Sequence, residues 1–492
     1  LLKEEFFMLS YRALFCPLLA LAVVAFVAPA APAFPPAGPD VTVGDLTGDS
    51  GPSFIHPRSY GIVGSIAAYA VGTTSCNVGT DPLQWIDNVA SRHPVISQNL
   101  FRLKTVSGST RFEHIGQSWL KHGFCALQQS LCTSCTPYGG CCCDHLGVGC
   151  SDPYTASRNG SSSNLGPKFQ VNAATGTFIE PHALPGGSAT LAGRLQAETA
   201  DVNPTLNTGA LYWVEGMYIS NDDAAANNDL NNASYRRVIF LNDAVFTMRW
   251  PTAPTEPTVR QEPAINAWKA NDPGVQTVNI DIAGDGRMIL GYKVTDLSGS
   301  GIGPWHYEYG LYNMNSDRSG QSFSVPLASP CITVTNPGFH DVFYHSGEPY
   351  VGTDWPPVVT SSSVSWQSET FAVNANANAL RFGTLYNYRF DANAAPVDGT
   401  ITIGLFKTGT PASVTVTASV PSTPSISCLR GDLNNDTLVD SGDVQLFATI
   451  LVTGGGTTQQ KCAGDLEAVP DCAIDMDDVD NFTNCLLAGG PC

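Results

Sequence analysis

The chain has 492 residues, with 24 lysines and arginines against 43 aspartates and glutamates, for a formal net charge of −19. That balance, with no basic stripe anywhere in the sequence, excludes nucleic acid as a partner. With 47 glycines, 34 prolines and only 14% charged residues, the composition suits a turn-rich, β-rich extracellular protein of about three domains.

Met8 is the first methionine, and behind it come Arg12, an apolar stretch from Ala13 to Val27, and small residues ending at Ala33. This pattern predicts a secretory signal peptide cleaved after Ala30 or Ala33, so residues 1–33 read as an upstream extension plus signal. No later stretch is long and apolar enough to span a bilayer. The expected address of the mature chain is therefore secreted, extracellular or at the cell surface, with no transmembrane segment. Setting aside Cys16 in the signal, fourteen of the fifteen cysteines remain, and disulfides are their default state in an oxidising compartment. Eight fall between Cys76 and Cys150, five between Cys428 and Cys492, and Cys331 stands alone. If those five pair mostly among themselves, one is left for Cys331.

Residues 34–185 form a Cys/His-rich N-terminal region. Phe112, Ile115, Trp119 and Leu120 fall at helical spacing and predict a helix around Phe112–Leu127, on which His114 and His122 share a face. Cys132 to Cys150 reads as a stapled loop. Cys132, Cys135, Cys141, Cys142, Cys143, His145 and Cys150 have zinc-like spacing, but an exported chain favours oxidised pairs. The three consecutive cysteines must then reach outward to partners such as Cys76 and Cys125.

Strand signals dominate residues 186–330, in Ala210–Ile219, in Tyr235–Leu241, and in a hairpin from Val278 to Leu290 turning at Gly284–Gly286. They continue through 331–427, where Thr408–Ser427 reads as a Ser/Thr/Pro linker and Ser413–Val420 as a possible last strand. The fold class expected is mainly β: one or two β-sandwiches after a disulfide-rich region, then a small α-helical domain at 428–492.

Glycoside hydrolysis requires two converging carboxyls. Glu215 in Tyr-Trp-Val-Glu-Gly and Glu308 in Trp-His-Tyr-Glu-Tyr are the candidates, since each lies among aromatics able to stack on a sugar. His340, Asp341 and His345 form a second candidate set, for a transition metal. The sequence holds no Gly-x-Ser-x-Gly elbow, no His-Glu-x-x-His and no phosphate-cradling glycine loop.

The most informative segment is the last. Asp432, Asn434, Asp436, Leu438, Asp440 and Asp443 occupy positions 1, 3, 5, 7, 9 and 12 of a twelve-residue loop, Leu438 through its backbone carbonyl, and such spacing wraps oxygens around a hard cation, Ca²⁺. Thr437 stands at position 6, where glycine usually makes the turn, and so has to accept an unfavourable φ. Asp436, Asp440, Asp443, Val444 and Phe447 recur 35 residues later as Asp471, Asp475, Asp478, Val479 and Phe482. That offset puts Glu467 and Val469 at positions 1 and 3 of the second loop, whereas its Gly-Asp-Leu opening recurs at Asp465. The second loop is either expanded by two residues or degenerate. Apolar residues at helical spacing follow each loop.

This pair of loop-helix units resembles the type I dockerin module, over about an eighth of the chain. The resemblance implies a calcium-folded domain that binds a cohesin on another protein and is often appended to secreted polysaccharide-degrading enzymes. In that family positions 10 and 11 read the partner; here they are Ser441 and Gly442, then Met476 and Asp477, and the difference argues against a symmetric two-way mode. The segments Leu380–Asp391, Ile403–Lys407, Trp305–Tyr309 and Asn315–Ser319 resemble secreted proteins of planctomycete-type bacteria, a family without an assigned activity. The expected function is a calcium-binding extracellular or surface protein whose C-terminal module mediates attachment or assembly, to a cohesin-like or cell-envelope protein. The alternatives are a secreted carbohydrate-active protein acting on or binding a polysaccharide, and a metal-dependent oxidase or hydrolase of the histidine-rich half.

Overall fold

Short strands make the chain mainly β, 38% strand against 13% helix. The computed structural model describes residues 37–49, 55–139, 143–252, 256–301, 303–344, 347–423, 428–467, 471–490 and 492. The predicted signal peptide, Cys141, Cys142, His345 and Val469 lie outside the described residues.

The strands build stacked β layers. The first is a three-stranded antiparallel sheet of Val41–Thr47, Gly72–Asn77 and Ser151–Tyr154. The second is a ten-stranded sheet whose middle runs Ala233–Phe240, Leu211–Ile219, Val95–Val106, Ser109–Gln117 and Leu195–Glu198. A five-stranded sheet follows, with Trp305–Asn313 at its centre between Arg287–Asp296 and Thr384–Ala392. Another five-stranded sheet, including Gly320–Pro326, Ser363–Gln367, Pro396–Leu405 and Ser413–Pro421, closes the stack.

Successive residues on a strand face opposite ways, which assigns every core residue to one layer boundary. Leu100, Val214 and Tyr218 pack toward the first sheet. Their neighbours Phe101, Trp213 and Met217 face the other side, where they meet Trp268, Tyr312 and Leu385. The two five-stranded sheets share a third core of Tyr307, Tyr309, Phe323, Trp366 and Tyr388, and so form a sandwich. Each such fully buried side chain contributes about 1.5–3 kcal/mol of hydrophobic stabilisation.

Two expectations are corrected. Residues 112–127 are not helical: Ser109–Gln117 and Leu120–His122 are strands. Phe112 packs on one face of the sheet and Ile115 on the other. A central strand buried on both faces loses the period-two signature, and its apolar residues then fall by chance at helical spacing. The domain boundaries also move. Strands 195–198 and 211–249 belong to the sheet begun by residues 58–122, so no boundary falls at 185/186. Likewise Val334–His340 pairs with Thr384–Ala392, which in turn pairs with Trp305–Asn313, so 330/331 lies inside the sandwich.

Disulfides join Cys76–Cys132, Cys125–Cys143, Cys135–Cys150, Cys331–Cys472, Cys428–Cys462 and Cys485–Cys492. Cys132, Cys135, Cys143 and Cys150 are thereby unavailable as zinc ligands, because a thiolate cannot be free and oxidised at once. Cys143 reaches outward to Cys125 as expected, whereas Cys76 takes Cys132. The solitary Cys331 crosses to the acidic C-terminal segment. Six such bonds mark an oxidising, non-cytoplasmic compartment. Among the described residues no helix is long and apolar enough to cross a membrane.

Candidate metal centre

Residues 428–492 fold as helices Ser441–Thr453, Thr458–Gly464 and Met476–Ala488. Phe447 and Phe482 stack at 4.0 Å between the two long helices, with Leu433, Ile450, Leu466 and Ile474 around them. Each long helix starts at an aspartate N-cap, Asp440 or Asp475, in a reciprocal capping box with Asp443 or Asp478. Each ends at a left-handed glycine, Gly454 or Gly489. Asp or Asn at a cap supplies about 1 kcal/mol over alanine, and an αL glycine ends the helix without a Cβ clash.

The first loop is wound by its own side chains. Asp432 accepts from Asp436 N at 3.1 Å and Thr437 N at 2.8 Å. Asp443 Oδ1 accepts from Leu433 N and Asn434 N at 2.8 and 3.0 Å, while its Oδ2 accepts from Asp440 N at 3.1 Å. Asp436 Oδ1 accepts from Leu438 N at 2.9 Å. Thr437 stands at φ +75°, the left-handed strain its side chain implied.

The second loop repeats this winding and resolves its own register. Asp478 Oδ1 accepts from Leu466 N, and its Oδ2 from Asp475 N, as Asp443 does from Leu433 and Asp440. Asp465 Oδ2 accepts from Cys472 N at 2.6 Å, as Asp432 does from Thr437 N. Cys472 has the same left-handed φ, +61°. Asp471 Oδ1 accepts from Ala473 N, as Asp436 does from Leu438 N. Asp465 thus stands where Asp432 does, and the loop is expanded by two residues.

The electrostatics of these loops are one-sided. Asp432, Asp443, Asp465 and Asp478 are all at most 3% exposed. Among the described residues none of them forms an ion pair with lysine or arginine. One oxygen from each of Asp465, Glu467 and Asp471 falls within 4.8 Å of the others. Like charges at that separation repel by about 1 kcal/mol in water and roughly 3.5 kcal/mol at an effective dielectric of 20. Burial, together with the charges of Asp478 and Asp471, raises the pKa of Asp465. Asp465 Oδ1 is buried with no hydrogen-bond partner among the described residues. An all-oxygen donor set of this kind fits a hard divalent cation better than a soft one.

The other sequence candidates have different surroundings. Glu215 is 1% exposed, and it accepts from Asn99 Nδ2 (2.9 Å), Tyr312 Oη (2.7 Å) and Ala264 N (2.7 Å). Burial pushes its pKa up against those hydrogen bonds. Glu308, also 1% exposed, takes the Arg111 guanidinium Nε at 2.9 Å and His306 Nε2 at 3.1 Å. His306 also reaches Asp391 at 2.6 Å; against the penalty of burial, these carboxylates raise its pKa. Both glutamates pin the ten-stranded sheet to the five-stranded sheet beside it, and their aromatic neighbours are core. Neither glutamate lines the three cavities of the chain found around Tyr154, Arg236 and His56. Asp341 is held by Asn378, and burial raises its carboxyl to about 7. His340 and Asp341 join no metal-ligand cluster among the described residues. His114 faces Gly116 O at 2.8 Å, away from His122, which meets His93 instead.

No family model matches the chain. No curated protein sequence matches it either. Among solved structures, the serine-rich repeat adhesion glycoprotein Srr1 from Streptococcus agalactiae aligns over 72% of this chain and 89% of its own, at 6% identity and a TM-score of 0.18. That score is far below the level of a shared fold.

Proposed function

We propose that this is a secreted, calcium-binding protein of the cell exterior, whose C-terminal residues 428–492 form a dockerin-like module used for attachment or assembly. Ca²⁺ is held by Asp432, Asn434, Asp436, Asp440, Asp443 and the Leu438 carbonyl in one loop. In the other it is held by Asp465, Asp471, Asp475 and Asp478. The observation that carries this reading is the buried carboxylate set, which forms no ion pair with lysine or arginine among the described residues and is wound twice in the same hydrogen-bond pattern. A bound divalent cation offsets the cost of such a set, several kcal/mol for an unpaired buried carboxylate, without the carboxyls having to take up protons.

The partner side of the reading rests on what the module leaves outward. Val452 and Leu487 are 84% and 82% exposed and stand at the same 35-residue offset; Met476 is 72% exposed. These apolar side chains, Val452 and Leu487 in the last turns of their helices and Met476 in the first turn of its own, suit a cohesin-like or cell-envelope protein. The carbohydrate-active alternative depends on Glu215 and Glu308, and their burial between layers leaves it without a cleft.

Cosedimentation of the full chain with cell-envelope particles of the producing organism tests the attachment role. Binding is expected in calcium, lost in chelator, and weakened in V452D/L487D. Equal binding with and without calcium would overturn it.

A further inference from the structure

Three histidines and a glutamate far apart in the chain meet beside the ten-stranded sheet. His93 precedes the strand Val95–Val106, His122 ends Leu120–His122, and Glu180 and His182 follow Thr177–Phe178. His93 Nε2 and His122 Nδ1 are 2.9 Å apart. Glu180 Oε2 lies 3.8 Å from His122 Nδ1 and 3.2 Å from His182 Nδ1. One donor atom from each of His93, His122 and Glu180 falls within 4.8 Å of the other two. The His182 ring stacks on His122 at 3.7 Å, and Phe178 closes an apolar wall at 4.9 Å from His93 and 5.1 Å from His122.

The tautomer of His93 is set for chelation, and taking up an ion would move the His122 hydrogen from Nδ1 to Nε2. His93 Nδ1 is 2.9 Å from the Ile86 carbonyl, which can only accept, so Nδ1 carries the hydrogen and Nε2 presents its lone pair. A carbonyl fixing the tautomer in this way is the usual outer support of a metal-binding imidazole. Both rings are 2% exposed. Burial lowers the pKa of each imidazole. A simple N–H···N bond between His93 and His122 accounts for that pair alone. It leaves the Glu180 carboxylate turned toward the imidazoles and His182 Nε2 buried with no hydrogen-bond partner among the described residues.

We propose that His93 Nε2, His122 Nδ1 and Glu180 Oε2 bind a divalent transition ion of the zinc type, with His182 supporting Glu180 from outside. Two imidazoles and a carboxylate are a zinc donor set that leaves a position for water or a small ligand. With bonds of about 2.0–2.1 Å, tetrahedral donors stand about 3.3 Å apart, between the 2.9 and 3.8 Å seen here. Nitrogen donors separate this site chemically from the all-oxygen loops at the C-terminal end. His122 also lines a cavity of about 660 Å³, with Lys121, Asp152, Tyr154 and Arg158.

The test uses the full chain, stripped with chelator, saturated with Ca²⁺ to occupy oxygen sites, then equilibrated with Zn²⁺ and desalted. About one zinc per chain is expected, with two imidazoles and an oxygen donor in its X-ray absorption spectrum. The H93Q/H122Q variant is expected to lower zinc affinity roughly tenfold or more, while H145Q leaves it unchanged. No retained zinc in the wild-type chain, or zinc with no imidazole in its shell, would overturn the proposal whether or not the double variant folds. Unchanged affinity in H93Q/H122Q would do so as well.

Discussion

Replacing Asp443 with alanine is expected to unfold the C-terminal helices while the β layers stay folded. Asp443 is fully buried and accepts from three backbone N–H groups, of Leu433, Asn434 and Asp440. Each orphaned donor costs about 1–3 kcal/mol, and the broken capping box about 1 kcal/mol more. A core of this size rarely supplies more than about 3–5 kcal/mol, so the loss exceeds what the module holds. Hydrogen exchange checks the outcome: amide protection across Ser441–Thr453 and Met476–Ala488 should collapse in D443A, and that of Val95–Val106 should persist. Retained protection in both helices would mean that Asp443 is not the keystone of the loop.

Cutting the chain between the last strand and Cys428 is expected to leave the helical module attached until a reductant is added. The Cys331–Cys472 bond joins the segment between Gly320–Pro326 and Val334–His340 to the turn of the second loop. Closing a loop over a separation of 141 residues lowers the entropy of the unfolded chain by the equivalent of about 5 kcal/mol. A protease site placed at residues 424–427 gives the readout on non-reducing and reducing gels. Release of the fragment without reductant would contradict the cross-link. The paired C331A/C472A variant should release it at once and melt at lower temperature.

The two parts of the C-terminal segment differ in how far the sequence reveals them. In the first loop all donors lie within twelve consecutive residues, so the pattern is visible from spacing alone, and the capping aspartates are the same residues. The second loop left two readings open in the sequence, expanded by two residues or degenerate, because two inserted residues shift Asp465 off the 35-residue offset, and the mirrored bonds to Leu466 and Cys472 favour the expansion. The left-over Cys331 was found by counting, since pairing is arithmetic before it is geometry. Strand texture from residue 210 onward was legible through alternation and turn residues. The stretch at 112–127 was not, because Ser109–Gln117 is buried on both faces.

Non-local partners explain the remaining failures. Glu308 looks like a carboxyl among sugar-stacking aromatics until Arg111, 197 residues away, is seen to hold it. Tyr312, 97 residues from Glu215, does the same there. The His93, His122, Glu180 and His182 cluster draws on separate loops and has no spacing to read. Its only trace in the sequence is a histidine-rich N-terminal half.

Calorimetric titration of the chelator-stripped full chain with Ca²⁺, paired with melting in calcium and in chelator, bears most directly on the central reading. One ion is expected per loop. At calcium a hundredfold above Kd, each ion should add about 2.7 kcal/mol to the stability of the helical module, raising its melting transition. Absence of binding heat, together with the same transition in chelator and in calcium, would contradict the account.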